Sequence, residues 1–241
     1  MDSAHNDIRK QAYQLRQSFQ YDQAKSLLQN ALQAADEQRL PASLQWELHY
    51  DLAKAYQETY DPAAAEAHYQ KALSLLEQEK GDLVFTARIW SSLGLLLQDE
   101  GRVNEAIDCH ERAVHLLRQA PESQVLLYLA SNYKYLGEMY QETGQLAKAR
   151  EYYRPSLSYL QQRLGSGEGF LYLEAATVAL LLVAVELELL VQGKGQMSAA
   201  SVEALLSGAR NWLSELEHDD SIVEQRWAEW QRLRFLLNKL V

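Results

Sequence analysis

Apolar residues recur at helical spacing along most of this chain. Trp90, Leu93, Gly94 and Leu97 fall at i, i+3, i+4 and i+7, which is one face of a helix. A turn follows at Gly101, and Ala106, His110 and Ala113 then mark the face of a second helix. The same two-helix pattern recurs without internal gaps at His49–Leu73, Trp90–Val114 and Tyr133–Leu157, and more weakly at Ile8–Leu32. The equivalent alanines Ala24, Ala65, Ala106 and Ala149 stand 41, 41 and 43 residues apart. Small residues also recur on the first helix of each pair, at Ala12, Ala53, Gly94 and Gly137, where a larger side chain would push two crossing helices apart. Gly101 and Gly144 suit a left-handed helix stop. Asp61-Pro62 suits an N-cap followed by proline at the first helical position.

The last third continues the helices with a weaker repeat. Phe170–Val191 reads as one helix, apolar on nearly all sides and so covered by neighbours. Its uninterrupted apolar part, Ala175–Val185, is 11 residues, short of the roughly 20 a bilayer needs. Gly193-Lys194-Gly195 breaks it. Ser198 or Ser201 then caps a helix ending near Leu216. Ser221-x-x-Glu224 has the form of a capping box. The helix it opens carries Val223, Trp227, Trp230, Leu233, Leu237 and Leu240 on one stripe, suited to covering the open end of a helical array or to pairing two copies as a homodimer.

The pattern large-x-x-Leu-Gly/Ala-x-x-Tyr/Leu, then glycine, then Ala-x-x-x-Tyr/His-x-x-Ala resembles the tetratricopeptide repeat. The spacing near 42 residues is similar to the long-helix form of kinesin light chains and bacterial peptide-sensing regulators. The resemblance implies an all-α solenoid of about five hairpins and a C-terminal capping helix, eleven helices in all. Residues 1–163 would hold four repeats, at about 5–38, 43–79, 84–119 and 127–163, and residues 164–241 a degenerate fifth hairpin and the cap. Two departures stand out. Pro155-Ser156 replaces a polar residue and alanine, predicting a kink near Glu151–Pro155 or an early helix end. Gln11 stands where leucine is usual, as suits a terminal repeat.

Composition narrows the function. The 241 residues carry a net charge of −10, which disfavours non-specific contact with nucleic acid or anionic membranes. The polar start of the chain lacks the apolar segment of a signal peptide, and a cytoplasmic protein is expected. One cysteine, Cys109, excludes an internal disulfide and a cysteine-rich zinc site. His110 and His115 are five apart, where the helical metalloprotease pair needs four, and adjacent Cys109 and His110 diverge by about 100° on a helix. Gly165–Gly169 lacks the lysine of a phosphate loop and reads as a turn. No enzyme, metal or cofactor is predicted.

The resemblance implies that the first helix of each pair lines a concave groove taking a peptide or partner helix, so that the chain works as a non-catalytic scaffold or adaptor. A peptide-gated regulator that releases an effector is the alternative, and an enzyme a weaker one. Carried onto this sequence, the groove positions include Arg9, Tyr13, Arg16, Tyr50, Lys54, Gln57, Arg88, Ser91, Leu95, Gln98, Lys134 and Gln141. Arg9, Lys54, Arg88 and Lys134 form a row of cations suited to a partner's carboxylates, and Gln57, Gln98 and Gln141 a row of amides suited to an extended backbone. The same cations could instead answer Glu47, Glu58, Asp99, Glu138 and Glu142 on neighbouring helices. The carboxylate clamp of chaperone-binding repeats does not carry over. Its positions here are Arg9, Tyr13, Asp51, Arg88 and Ser92, and Asp51 would repel a carboxylate.

Overall fold

A computed structural model describes residues 2–38, 41–78, 81–164, 169–216 and 220–240. The expected end of the second repeat at residue 79 and the Gly165–Glu168 part of the predicted turn lie outside them. Eleven α-helices and no strand occur among the described residues: α1 (Asp2–Gln17), α2 (Tyr21–Glu37), α3 (Ala42–Glu58), α4 (Pro62–Gln78), α5 (Leu83–Asp99), α6 (Val103–Leu117), α7 (Glu122–Glu142), α8 (Leu146–Arg163), α9 (Gly169–Val191), α10 (Ala199–Ser214) and α11 (Ser221–Leu240). The fold is an all-α helical repeat of five hairpins and a final helix. It divides into two compact units, 1–120 with α1 to α6 and 121–241 with α7 to α11.

Each of the first four hairpins closes on one contact. Leu28, Tyr69, His110 and Tyr153 occupy equivalent places on the second helices and are fully buried. A Cβ added to Gly94 would stand 2.7 Å from the His110 ring, and one added to Gly137 would stand 2.5 Å from the Tyr153 ring. The small residue on the first helix is thus the socket for the large one on the second. Tyr69 and Tyr153 complete the contact by donating their hydroxyls to Gln57 and Gln141 Oε1, each at 2.8 Å. Burial holds both phenols above the usual tyrosine range.

The hairpins also share one turn. Phe19, Tyr60, Gly101, Gly144 and Gly193 all have φ between 57° and 73°. The N–H of the next residue, from Gln20 through Lys194, bonds back to a carbonyl five residues earlier, at 2.7–3.0 Å. This is the Schellman stop predicted at Gly101 and Gly144, and the first two repeats build it without glycine. Asp61 accepts from the Ala64 N–H at 3.1 Å, with Pro62 at the first helical position.

Two local expectations need correction. Helix α8 runs through Pro155 to Arg163 rather than ending early. Tyr153, Ser156 and Leu157 are buried around the proline, and Ser156 Oγ donates to the Ala130 carbonyl at 2.8 Å, so packing holds the helix on. The carbonyl of exposed Glu151, which loses its partner, can face water. Asp220, not Ser221, caps α11, accepting from the Ile222 N–H at 2.8 Å. The expected single apolar helix is α9, whose 23 residues are long and apolar enough to cross a membrane by length and composition alone. It is covered by α8, α10 and α11, as its all-round apolarity requires. Its Glu186 is fully buried beside Arg150 and Arg154, and the Gln196 N–H donates to the same carboxylate at 3.4 Å.

Helix α11 lies on α9 and α10, with Val223, Leu233 and Leu237 buried. Trp230 donates its indole N–H to the Leu206 carbonyl at 2.7 Å, and Trp227 meets Trp230 edge-on at 5.9 Å. Leu240, expected on the same stripe, is half exposed.

Candidate functional site

In the first unit, α1, α3 and α5 bring six of the predicted groove residues to one cavity of about 430 Å³. Arg9, Tyr13, Arg16, Tyr50, Lys54 and Arg88 line it together with Asn6, Lys10 and Asp51. Five cations face a single lining carboxylate. Lys10 was not singled out by the sequence pattern, although it follows Arg9 directly on the helix.

The cations are not equivalent. Arg9 spans from α1 to α3, its Nε donating to Asp51 at 2.6 Å and its Nη1 lying 2.8 Å from Glu47. His5 Nε2 sits 2.9 Å from the same Glu47 carboxylate. Arg16 grips Glu58 with two parallel bonds of 2.7 and 2.5 Å. A bidentate pair of this kind fixes geometry as well as charge. Burial pushes the Asp51 carboxyl above the usual range, against the pull of Arg9. The arginines therefore do what neighbouring-helix pairing would require, tying one repeat to the next. Arg88 lies over the rings of Phe85 and Tyr50, at 5.4 and 5.9 Å. Lys10 and Lys54 have no ion pair among the described residues, so their charge is not spent within the first unit.

Two of the three residues in the glutamine row are partly engaged within the chain. Gln57 and Gln141 spend their carbonyl ends on Tyr69 and Tyr153 within their own hairpins. Ser91, Leu95 and Gln98 lie on α5, partly exposed, outside the lining of the cavity. Lys134 and Gln141 belong to the second unit. There Lys134 donates to Glu174 of α9 at 2.8 Å. Burial works against its charge, but Glu174 holds the ammonium above the usual lysine range.

Among the described residues no group of three or more histidine, cysteine or carboxylate side chains is placed to hold a metal ion. Cys109 is 5% exposed, and burial pushes its thiol up to about 11, which leaves almost no thiolate at neutral pH. His110 is consumed as the packing residue against Gly94.

Models of the tetratricopeptide repeat family match residues 50–79 and 85–162. The chain is a tetratricopeptide-repeat protein. Such repeats are, as a class, protein-interaction scaffolds, and the chain is a scaffold in that general sense. No curated protein sequence matches it. Solved structures share its fold at low identity. BtubC (BKLC) from P. vanneervenii superposes with a TM-score of 0.72 at 19% identity, covering 89% of this chain and 82% of that one. Kinesin light chain-like, nearly identical TPR-like repeats from Podosopora anserina give 0.66 at 16%, covering 91% and 99%. The signal transduction ATPase PH0952 from Pyrococcus horikoshii, which carries a tetratricopeptide repeat sensor, gives 0.77 at 12% over 96% of this chain but 33% of that one.

Proposed function

We propose that the chain is a cytoplasmic, non-catalytic adaptor whose first unit binds an acidic segment of a partner protein on α1, α3 and α5. One observation carries this reading: the cavity of about 430 Å³ gathers five cations against one carboxylate in a chain of net charge −10. Arg9 and Arg16 are held by Glu47, Asp51 and Glu58 and act as a rigid frame, whereas Lys10 and Lys54 offer unspent charge. Tyr13, 57% exposed, and Tyr50 add ring faces beside them. Cations on a concave wall act through a lower effective dielectric than on open surface. The acidic balance of the whole disfavours nucleic acid and anionic membranes as partners.

The test is to pan a displayed random-peptide library on the full chain and on Lys10→Glu/Lys54→Glu, a pair chosen because it spares the α1–α3 bridges. Enrichment of Asp- and Glu-rich peptides by the wild type, with affinity falling about tenfold or more in the variant and with rising salt, is the expected result. Equal enrichment by both proteins overturns it. Small-angle scattering of the wild type with and without the selected peptide separates an adaptor from a peptide-gated regulator, since only the regulator changes shape.

A further inference from the structure

A second cavity, of about 480 Å³, lies wholly within the second unit, between α9 and α11. Its wall is aliphatic. Leu181, Ala184 and Leu187 come from α9, and Leu233, Leu236 and Leu240 from α11. Leu187 and Leu233 are buried, but Leu236 and Leu240 remain 36% and 48% exposed, so the wall is not fully covered by the chain itself.

Six polar side chains also line this cavity, among them Glu188, and several of the others are engaged within the chain. Glu229 and Arg232 lie 3.5 Å apart, and Lys239 sits over the Phe235 ring at 4.5 Å. Gln141 reaches in from α7, its carbonyl end bound to Tyr153 and its amide nitrogen left as a donor. Arg226 differs from these. Its Nε is buried and has no hydrogen-bond partner, and its guanidinium makes no ion pair among the described residues. Glu138 of α7 feels the charge of Arg226 without bonding it. A guanidinium that lines a cavity and has no carboxylate partner is suited to receive one, because a charge-assisted pair is stronger than a neutral hydrogen bond.

We propose that this cavity binds a small amphiphilic carboxylate, an acid whose oxygens pair with Arg226 and the Gln141 amide and whose alkyl or aryl body lies on the leucine wall. The lining holds Arg226, Arg232 and Lys239 against Glu188 and Glu229, the latter already paired with Arg232, and the net single positive charge suits one anionic head. The volume falls within the range of small-molecule sites. So does the make-up, a mostly apolar lining with a few convergent donors. A peptide would need a row of backbone partners along the groove, and the leucines of α9 and α11 supply none.

Isothermal titration of the full chain with dodecanoate, below its micelle concentration, tests the proposal. Saturable binding at one site is expected, with dodecanol bound about 10–100-fold more weakly, the worth of one charge-assisted hydrogen bond. Arg226→Gln should erase the preference for acid over alcohol. Ala184→Trp should abolish binding of both by filling the wall. Arg210→Gln removes an exposed cation elsewhere on the unit and should change nothing. Circular dichroism checks that each variant is folded. If Arg226→Gln does not fold, the acid-to-alcohol ratio of the wild type and the Ala184→Trp variant still decide. No saturable binding of dodecanoate, equal binding of acid and alcohol by the wild type, or full binding by folded Ala184→Trp overturns the proposal.

Discussion

The shared turn allows backbone strain to be separated from side-chain contact at equivalent positions. Tyr60 sits at φ 57°, a conformation that costs an ordinary residue about 1–2 kcal/mol. Its ring is 93% exposed, so glycine there gives up almost no burial. Against that gain stands the extra freedom of glycine in the unfolded chain, about 0.5–1 kcal/mol. Tyr60→Gly should therefore stabilise by about 0.5–1 kcal/mol. Gly101 is the mirror case, at φ 73° with nothing within 4 Å of an added Cβ. Gly101→Ala meets no clash and should destabilise by the same amount through the backbone alone. Urea unfolding followed by far-ultraviolet circular dichroism reads both. With a slope of about 2 kcal/mol per molar, the two midpoints should move in opposite directions by ~0.25–0.5 M. Phe19→Gly offers a repeat of the first measurement at φ 58°. If Tyr60→Gly is neutral or destabilising while Gly101→Ala is neutral, the turn is not strained and the reasoning is refuted.

Three further outcomes follow from contacts described above. Gly137→Ala drives a Cβ to within 2.5 Å of the buried Tyr153 ring and should cost about 1–2 kcal/mol net of its helix-propensity gain. Gly208→Ala meets Trp212 at an ordinary 3.5 Å and should instead gain up to about 1 kcal/mol, and thermal unfolding of the two variants shows whether the signs differ. His49 and His68 face each other Nδ1 to Nδ1 at 2.9 Å. Burial, and then the neighbouring His68, hold His49 down to about 4, and burial also lowers His68. The unfolded chain takes up these protons near pH 6.5 and the folded chain does not. Stability should thus be full above about 6.5 and decline as the pH falls toward 4, and His49→Gln should flatten that slope in a series of unfolding curves. Glu186→Gln strips the charge that Arg150, 5% exposed, and Arg154 share. It should cost about 3 kcal/mol, and an unchanged urea midpoint would show that the cluster is not coupled to folding.

The repeat frame was legible because a helix crossing leaves a periodic mark in sequence. Ala12, Ala53, Gly94 and Gly137 had to stay small to seat Leu28, Tyr69, His110 and Tyr153, and that requirement survives when everything around it varies. The turn was half legible. Glycine announces a left-handed stop at Gly101 and Gly144, but Phe19 and Tyr60 adopt it against their own preference, held by the Schellman bonds rather than by side-chain chemistry. Pairing of the groove cations with acids on neighbouring helices was one of two readings left open, and the spacing held a signal that decides between them for the arginines of α1. His5 and Glu47, Arg9 and Asp51, and Arg16 and Glu58 are each 42 residues apart, about one repeat length, so each base faces an acid one repeat on. The cavity between α9 and α11 left no such trace. Its leucines belong to a degenerate repeat, where aliphatic residues on a core face and on an open wall look alike, and Leu236 fell outside the stripe read for α11.

The bridges between α1 and α3 also work as a code for succession. If the hairpin α5–α6 were to follow α1–α2 directly, Arg88 and Ser92 would stand where Glu47 and Asp51 now stand, and Arg9 would meet a like charge and a hydroxyl. Near-identical modules in a row invite shuffled or swapped assembly during folding. Here the first module carries a lock that its rightful neighbour opens and the next one does not.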